Sequence, residues 1–185
     1  MSRVFIILIL LVSSPLAQAQ EAEDEALINE SLIESTLNTI SDSTYLVLLN
    51  AYGRLGIDIS KISNKELYLK AIDWLGVKYK YGHNSKNGID CSGFVKNMVS
   101  GLLVEKLWGG SRDIYRQCKP IDKSQLAEGD LVFFKVNKPY ISHVGIYLQN
   151  NKFIHATVRE GVIISDLYEE YYQRYYYDSC RLDKL

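Results

Sequence analysis

The segment over 79–95 reads YKYGHNSKNGIDCSGFV, and it carries the strongest nucleophile candidate of the chain, Cys91. Asp90 before it is a residue type that caps helix N-termini. Phe94, Val95, Met98, Val99 and Leu102 follow at the spacing of an amphipathic helix. Cys91 is therefore expected to open a helix that runs to about Leu103. There the thiol faces the positive end of the macrodipole and the first-turn N–H groups, and both favour thiolate. Catalysis by sulfur also needs an imidazole, to form an ion pair with the thiolate and to protonate a leaving amine. Three histidines are available, His83, His143 and His155. The last two flank a hairpin pattern, HVGIYLQNNKFIHA. If Gln149, Asn150 and Asn151 form a three-residue loop, Leu148 faces Lys152, His155 faces Gly145, and His143 lies diagonal to His155 on the same face. A two-residue loop would put the imidazoles on opposite faces. Asn151 tolerates the left-handed conformation that the third loop position demands, so the three-residue register is expected.

These residues, together with GDLVFF at 129–134, SHVGIYL at 142–148 and KFIHA at 152–156, resemble the NlpC-type cell-wall peptidases. Those are papain-like cysteine hydrolases of bacterial peptidoglycan, and within them the likeness is to the murein DD-endopeptidases. The resemblance runs from about Leu67 to the C-terminus. It implies Cys91 as nucleophile, His143 as general base and His155 as the polar third member. It also implies Tyr79 as a hydroxyl that helps hold the oxyanion, beside the backbone N–H of Cys91. The implied partner is the stem peptide of peptidoglycan, cut in its cross-links or within one stem, and no cofactor is implied. His83 stands where the family has the second glycine of a pair, so it narrows the groove, contacts substrate or faces solvent. Ser92 is a first-turn residue, and Ser111 and Arg112 belong to a loop near the groove; all three are candidate substrate contacts. Ile114 stands near a position where many relatives are polar. Two other readings remain: zinc held by Cys91, His143 and His155, although no HExxH or CxxC spacing supports it, and a silent wall-binding protein of the same fold.

The surrounding pattern is that of an α+β fold, with helices first and strands after, and the Cys91 helix packed on one face of an antiparallel sheet. Ser63 and Glu66 form a capping box for a helix with Leu67, Ala71, Ile72 and Leu75 on its apolar stripe, ending at Gly76. The stretch 108–112 reads as loop. Strands are expected over 131–134, 143–148, 152–157 and 162–165, then a short helix over 167–173 and a closing strand over 174–182.

The chain has 185 residues and a formal charge of −1, so nothing in it points to nucleic acid. An apolar run over 4–12 behind Arg3, closing on Ala17-Gln18-Ala19, reads as a signal peptide over 1–19 and export to the periplasm or beyond. The run is far shorter than the roughly 20 apolar residues of a membrane span. No cysteine precedes Cys91, so no acceptor for N-terminal lipidation is present. Residues 20–62 are expected as a helical extension, with helices over 31–40 and 45–52, and 63–185 as the peptidase domain, a monomer. Three cysteines leave one odd. With Cys91 free, Cys118 and Cys180 are read as isolated thiols in preference to a disulfide.

Overall fold

The structure is a computed structural model that describes residues 42–100 and 106–182. The signal-peptide segment, the helix expected over 31–40, and positions 101–103 of the expected nucleophile helix lie outside the described residues. Met1–Leu46 and Val47–Leu185 are separate compact units, and every feature below belongs to the second.

That unit opens on helix α1, which ends at 52, followed by 3-10 turns at Gly53–Leu55 and Ile59–Lys61. Leu48, Tyr52, Ile57 and Ile62 are buried in the same core as the helices that follow. Helix α2 spans Lys65–Trp74, and its N-cap is Asn64, whose Oδ1 accepts the Leu67 N–H at 3.0 Å. The expected cap, Ser63, is otherwise engaged. Its N–H and hydroxyl donate to Glu128 Oε2 at 2.9 and 2.6 Å, and the Asn64 N–H joins them at 3.0 Å. A carboxylate accepts several such bonds and is well placed at the positive end of a helix, so it displaces the serine cap.

A small hairpin, β1 (Asn84–Ser85) with β2 (Gly88–Ile89), leads into helix α3 over Cys91–Val99. Helix α3 stops earlier than the apolar stripe suggests, because Ser100 turns to extended backbone. Part of the expected 108–112 loop is instead the start of helix α4, Ser111–Tyr115, whose buried residue is Ile114. The remaining elements are β3 (Lys119–Ile121), β4 (Leu131–Phe134), β5 (His143–Tyr147), β6 (Lys152–Thr157), β7 (Gly161–Asp166), α5 (Glu170–Tyr175) and β8 (Tyr176–Arg181). Their antiparallel sheet runs in the order β3-β8-β4-β5-β6-β7, so the last strand of the chain is interior. Helix α5 begins later than expected, because Leu167 N–H bonds Asn151 O and Asp166 caps the turn through Tyr168 N–H.

The sheet buries both faces. Val144, Ile146, Ile154 and Ala156 pack with Phe94, Val95 and Met98 of α3 and with Leu67 and Ala71 of α2. Val132, Phe134 and Phe153 cover the opposite face with Leu167 and Tyr172. Each such side chain contributes about 1.5–3 kcal/mol by leaving water. Between β5 and β6, Ile146 pairs with Ile154 and Tyr147 with Phe153. Leu148 N–H reaches Lys152 O and Lys152 N–H reaches Gln149 O, both at 2.8 Å, so the loop has three residues. Asn150 and Asn151 are both left-handed, with φ of 50° and 62°. Gly145 is required by close approach: a Cβ there would lie 2.8 Å from Phe153 Cδ2 and 3.1 Å from the His155 Cβ.

Cys118 and Cys180 form a disulfide with Cα atoms 5.7 Å apart, which corrects the expectation of isolated thiols. Pairing of β3 with β8 sets Pro120 opposite Cys180 and carries Cys118 within bonding range. This leaves Cys91 as the free thiol of the three cysteines. The bridge spans a sequence separation of 62. A Cys118→Ser/Cys180→Ser variant is expected to lose on the order of 4 kcal/mol of unfolding free energy in urea titrations. Equal stability of the variant and the oxidised wild type would show that the bridge does not restrain the chain.

Candidate active site

The site begins with the cap of α3. Asp90 Oδ1 accepts the Gly93 N–H at 2.7 Å and the Ser92 hydroxyl at 2.8 Å, while Oδ2 accepts the Gly82 N–H at 2.8 Å. One carboxylate thus starts the helix and ties down the loop before it. Cys91 is 7% exposed, and backbone N–H groups close to its sulfur, that of Val144 first and then those of the helix start, favour its anion. Those amides lower its pKa. Burial and the neighbouring Asp90 charge raise it more, and the thiol is pushed up to about 11. The helix start favours the thiolate as expected, but desolvation of the anion outweighs it.

His143 opens β5, and the amide that follows it, Val144 N–H, is the one that meets the Cys91 sulfur. The imidazole lies on the sheet face of Phe134 and Phe153, with its Nε2 2.7 Å from Nδ1 of His155. This is the diagonal pair that the three-residue loop demands. His155 has no exposed surface, and its Nε2 lies 3.0 Å from Ser165 Oγ and 3.3 Å from the Tyr172 hydroxyl. Desolvation pulls His143 down to about 4, and it also holds His155 well below the usual imidazole range, with His143 adding to the effect. These shifts favour neutral rings, as the raised thiol favours uncharged sulfur.

Ser165 and Tyr172 were not among the residues singled out by sequence. The signal was faint: Ser165 follows by two the residue paired with His155, Ile163, and so shares its face. Nothing in the local sequence places Tyr172 there.

A cleft of about 650 Å³ opens over the thiol. Tyr79, Cys91, Ser92, Ser111 and Arg112 line it, with the Arg112 guanidinium 4.5 Å above the ring of Tyr140. Burial, then the nearby Cys91 and Asp90 charges, push the Tyr79 hydroxyl up to about 12, so it stays a hydrogen-bond donor. His83 is not brought into this set. Its Nδ1 is held 2.9 Å from Tyr81 O, its ring is exposed, and only its backbone serves the site, where His83 O accepts the Asp90 N–H at 2.9 Å. A thiol, a phenol and a helix start on one cleft, with a hydrogen-bonded imidazole pair that begins one residue beyond its lining residue Ser142, are the parts that acyl transfer through sulfur requires.

Comparison with known proteins agrees with this chemistry. The model of the NlpC/P60 family matches residues 76–181. A probable endopeptidase NlpC homolog of Haemophilus influenzae is 40% identical over 110 residues, which cover 60% of this chain and 58% of the relative. The murein DD-endopeptidase MepS/murein LD-carboxypeptidase of Escherichia coli K12 is 39% identical over 110 residues, with the same shares of 60% and 58%. Among solved structures, a lipoprotein-like NLP/P60 protein of Staphylococcus aureus gives a TM-score of 0.57 at 28% identity, covering 64% of this chain and 40% of that one. The chain thus spans about 58% of the length of these two curated relatives. With the family model extending over more than half of its residues, from before Tyr79 to beyond His155, this chain belongs to the NlpC/P60 family.

Proposed function

We propose that this chain is a cysteine endopeptidase that hydrolyses amide bonds in peptidoglycan stem peptides, the cross-links in particular, outside the cytoplasm. The observation that carries the reading is Cys91 at the cleft, at the start of α3 and close to the amide that follows His143, together with the His143–His155 hydrogen bond. The names of the two curated relatives, a probable endopeptidase and a murein DD-endopeptidase, support the substrate class.

In the first half-reaction the Cys91 proton passes to the free nitrogen of His143 as sulfur bonds to the carbonyl carbon. The resulting oxyanion takes hydrogen bonds from Tyr79 and from the first-turn N–H groups of Cys91 and Ser92. His143 then gives its proton to the departing amine, the C–N bond breaks, and a thioester remains. Water attacks that thioester with His143 as base and restores the thiol. His155 holds the His143 ring in the orientation this needs. Ser92, Ser111 and Arg112 contact the stem peptide along the cleft. All groups used belong to the chain, so no cofactor enters.

Three outcomes test this. Cys91→Ala should fold normally and lose at least about 10³-fold in the release of fragments from purified cross-linked peptidoglycan, read by mass spectrometry. Fragments from opened cross-links support the reading; fragments cut only within one stem would move the assignment to that bond, and none from the wild type would leave a wall-binding protein. Tyr79→Phe should cost on the order of 10² in kcat with little change in KM. The raised thiol pKa sets the third outcome. Below that value the thiolate fraction grows with pH, so iodoacetamide should alkylate Cys91 about tenfold faster per pH unit through neutrality. A rate that already levels off near pH 6 would mean a resting thiolate and contradict the uncharged sulfur.

A further inference from the structure

We infer that Ser165 and Tyr172 are positioning residues that select the tautomer of the histidine pair and thereby decide whether His143 faces Cys91 as a base. The inference rests on the reading of His143 as general base.

A neutral imidazole has one N–H and one lone pair, so each partner it meets dictates what the other nitrogen does. For His143 to accept the Cys91 proton at Nδ1, its Nε2 must carry the hydrogen and donate to His155 Nδ1 across the 2.7 Å contact. His155 Nε2 must then carry its own hydrogen and needs an acceptor. Ser165 Oγ, 3.0 Å away and buried, is that acceptor, provided its own hydrogen is directed elsewhere. The hydroxyl of Tyr172 supplies that elsewhere: it lies 3.3 Å from both Ser165 Oγ and His155 Nε2, and in this arrangement it accepts the serine hydrogen and points its own away from the ring. Without the tyrosine oxygen, the serine hydrogen is free to turn onto His155 Nε2. That reverses the chain: His155 Nδ1–H donates to His143 Nε2, and His143 Nδ1 carries a hydrogen where the thiol needs a lone pair. An aromatic shell makes the arrangement rigid, with the His155 ring 4.4 Å from Phe153 and 5.2 Å from Tyr172 between centroids.

The test uses Tyr172→Phe and Ser165→Ala, each of which removes one oxygen and keeps the packing. With three histidines in the chain, nitrogen-15 NMR of the imidazoles resolves every tautomer. The wild type should carry Nε2–H on both His143 and His155, and Tyr172→Phe should convert His155 to Nδ1–H. Alkylation of Cys91 at pH 7 should slow about tenfold in Tyr172→Phe and at least severalfold in Ser165→Ala, the loss expected for about one hydrogen bond. Both readouts need no substrate, so failure of the peptidoglycan assignment leaves them intact. Nδ1–H on His155 in the wild type would overturn the inference. So would unchanged tautomers in Tyr172→Phe, or a changed tautomer with an unchanged alkylation rate.

Discussion

The hydrogen bond between His143 and His155 is the constraint on which the site depends. It exists only if β5 and β6 keep a register in which both side chains leave the sheet on one face. Three features hold that register: a three-residue loop with two left-handed asparagines, the missing side chain of Gly145, and a core face of Val144, Ile146, Ile154 and Ala156. A slip of one residue would bury the imidazoles among the aliphatic side chains under α3 and expose that core. Fold stability and catalytic geometry thus rest on the same strand pairing.

Electrostatics then assign the resting state. A helix N-terminus favours a thiolate, and nearby backbone amides do lower the Cys91 pKa. The thiol is nevertheless buried beside a carboxylate, His155 is buried and His143 is partly buried, and desolvation favours the uncharged form of each. Charge separates in such a site only as the sulfur attacks, when the oxyanion donors are already in place. On the proposed mechanism this lowers reorganisation in the step, and an uncharged thiol is also the less reactive form toward oxidants.

Much of this was legible in the chain itself. Asp90 before an apolar stripe announced the helix start at Cys91, and the loop asparagines chose the strand register that pairs the histidines. What was not legible depends on contacts distant in sequence. Asn64 caps α2 in place of Ser63, because Glu128, at a separation of 65 residues, holds the serine. The disulfide follows from pairing a three-residue strand, β3, with the last strand of the chain. His83 looked like a groove residue because of its place in the motif, yet a single bond to Tyr81 O turns its ring outward. The thiol pKa was only partly legible for a related reason. Local position shows the dipole, whereas burial is a property of the assembled fold.

The central claim is that the His143 imidazole and the Cys91 thiol both rest uncharged. Following the His143 ring signals through an acid titration by NMR tests it most directly. The account predicts a ring that is neutral at pH 7 and takes up its proton only as the pH approaches about 4, the value to which burial lowers it. A His143 ring charged at pH 7, losing that charge once Cys91 is alkylated, would contradict it.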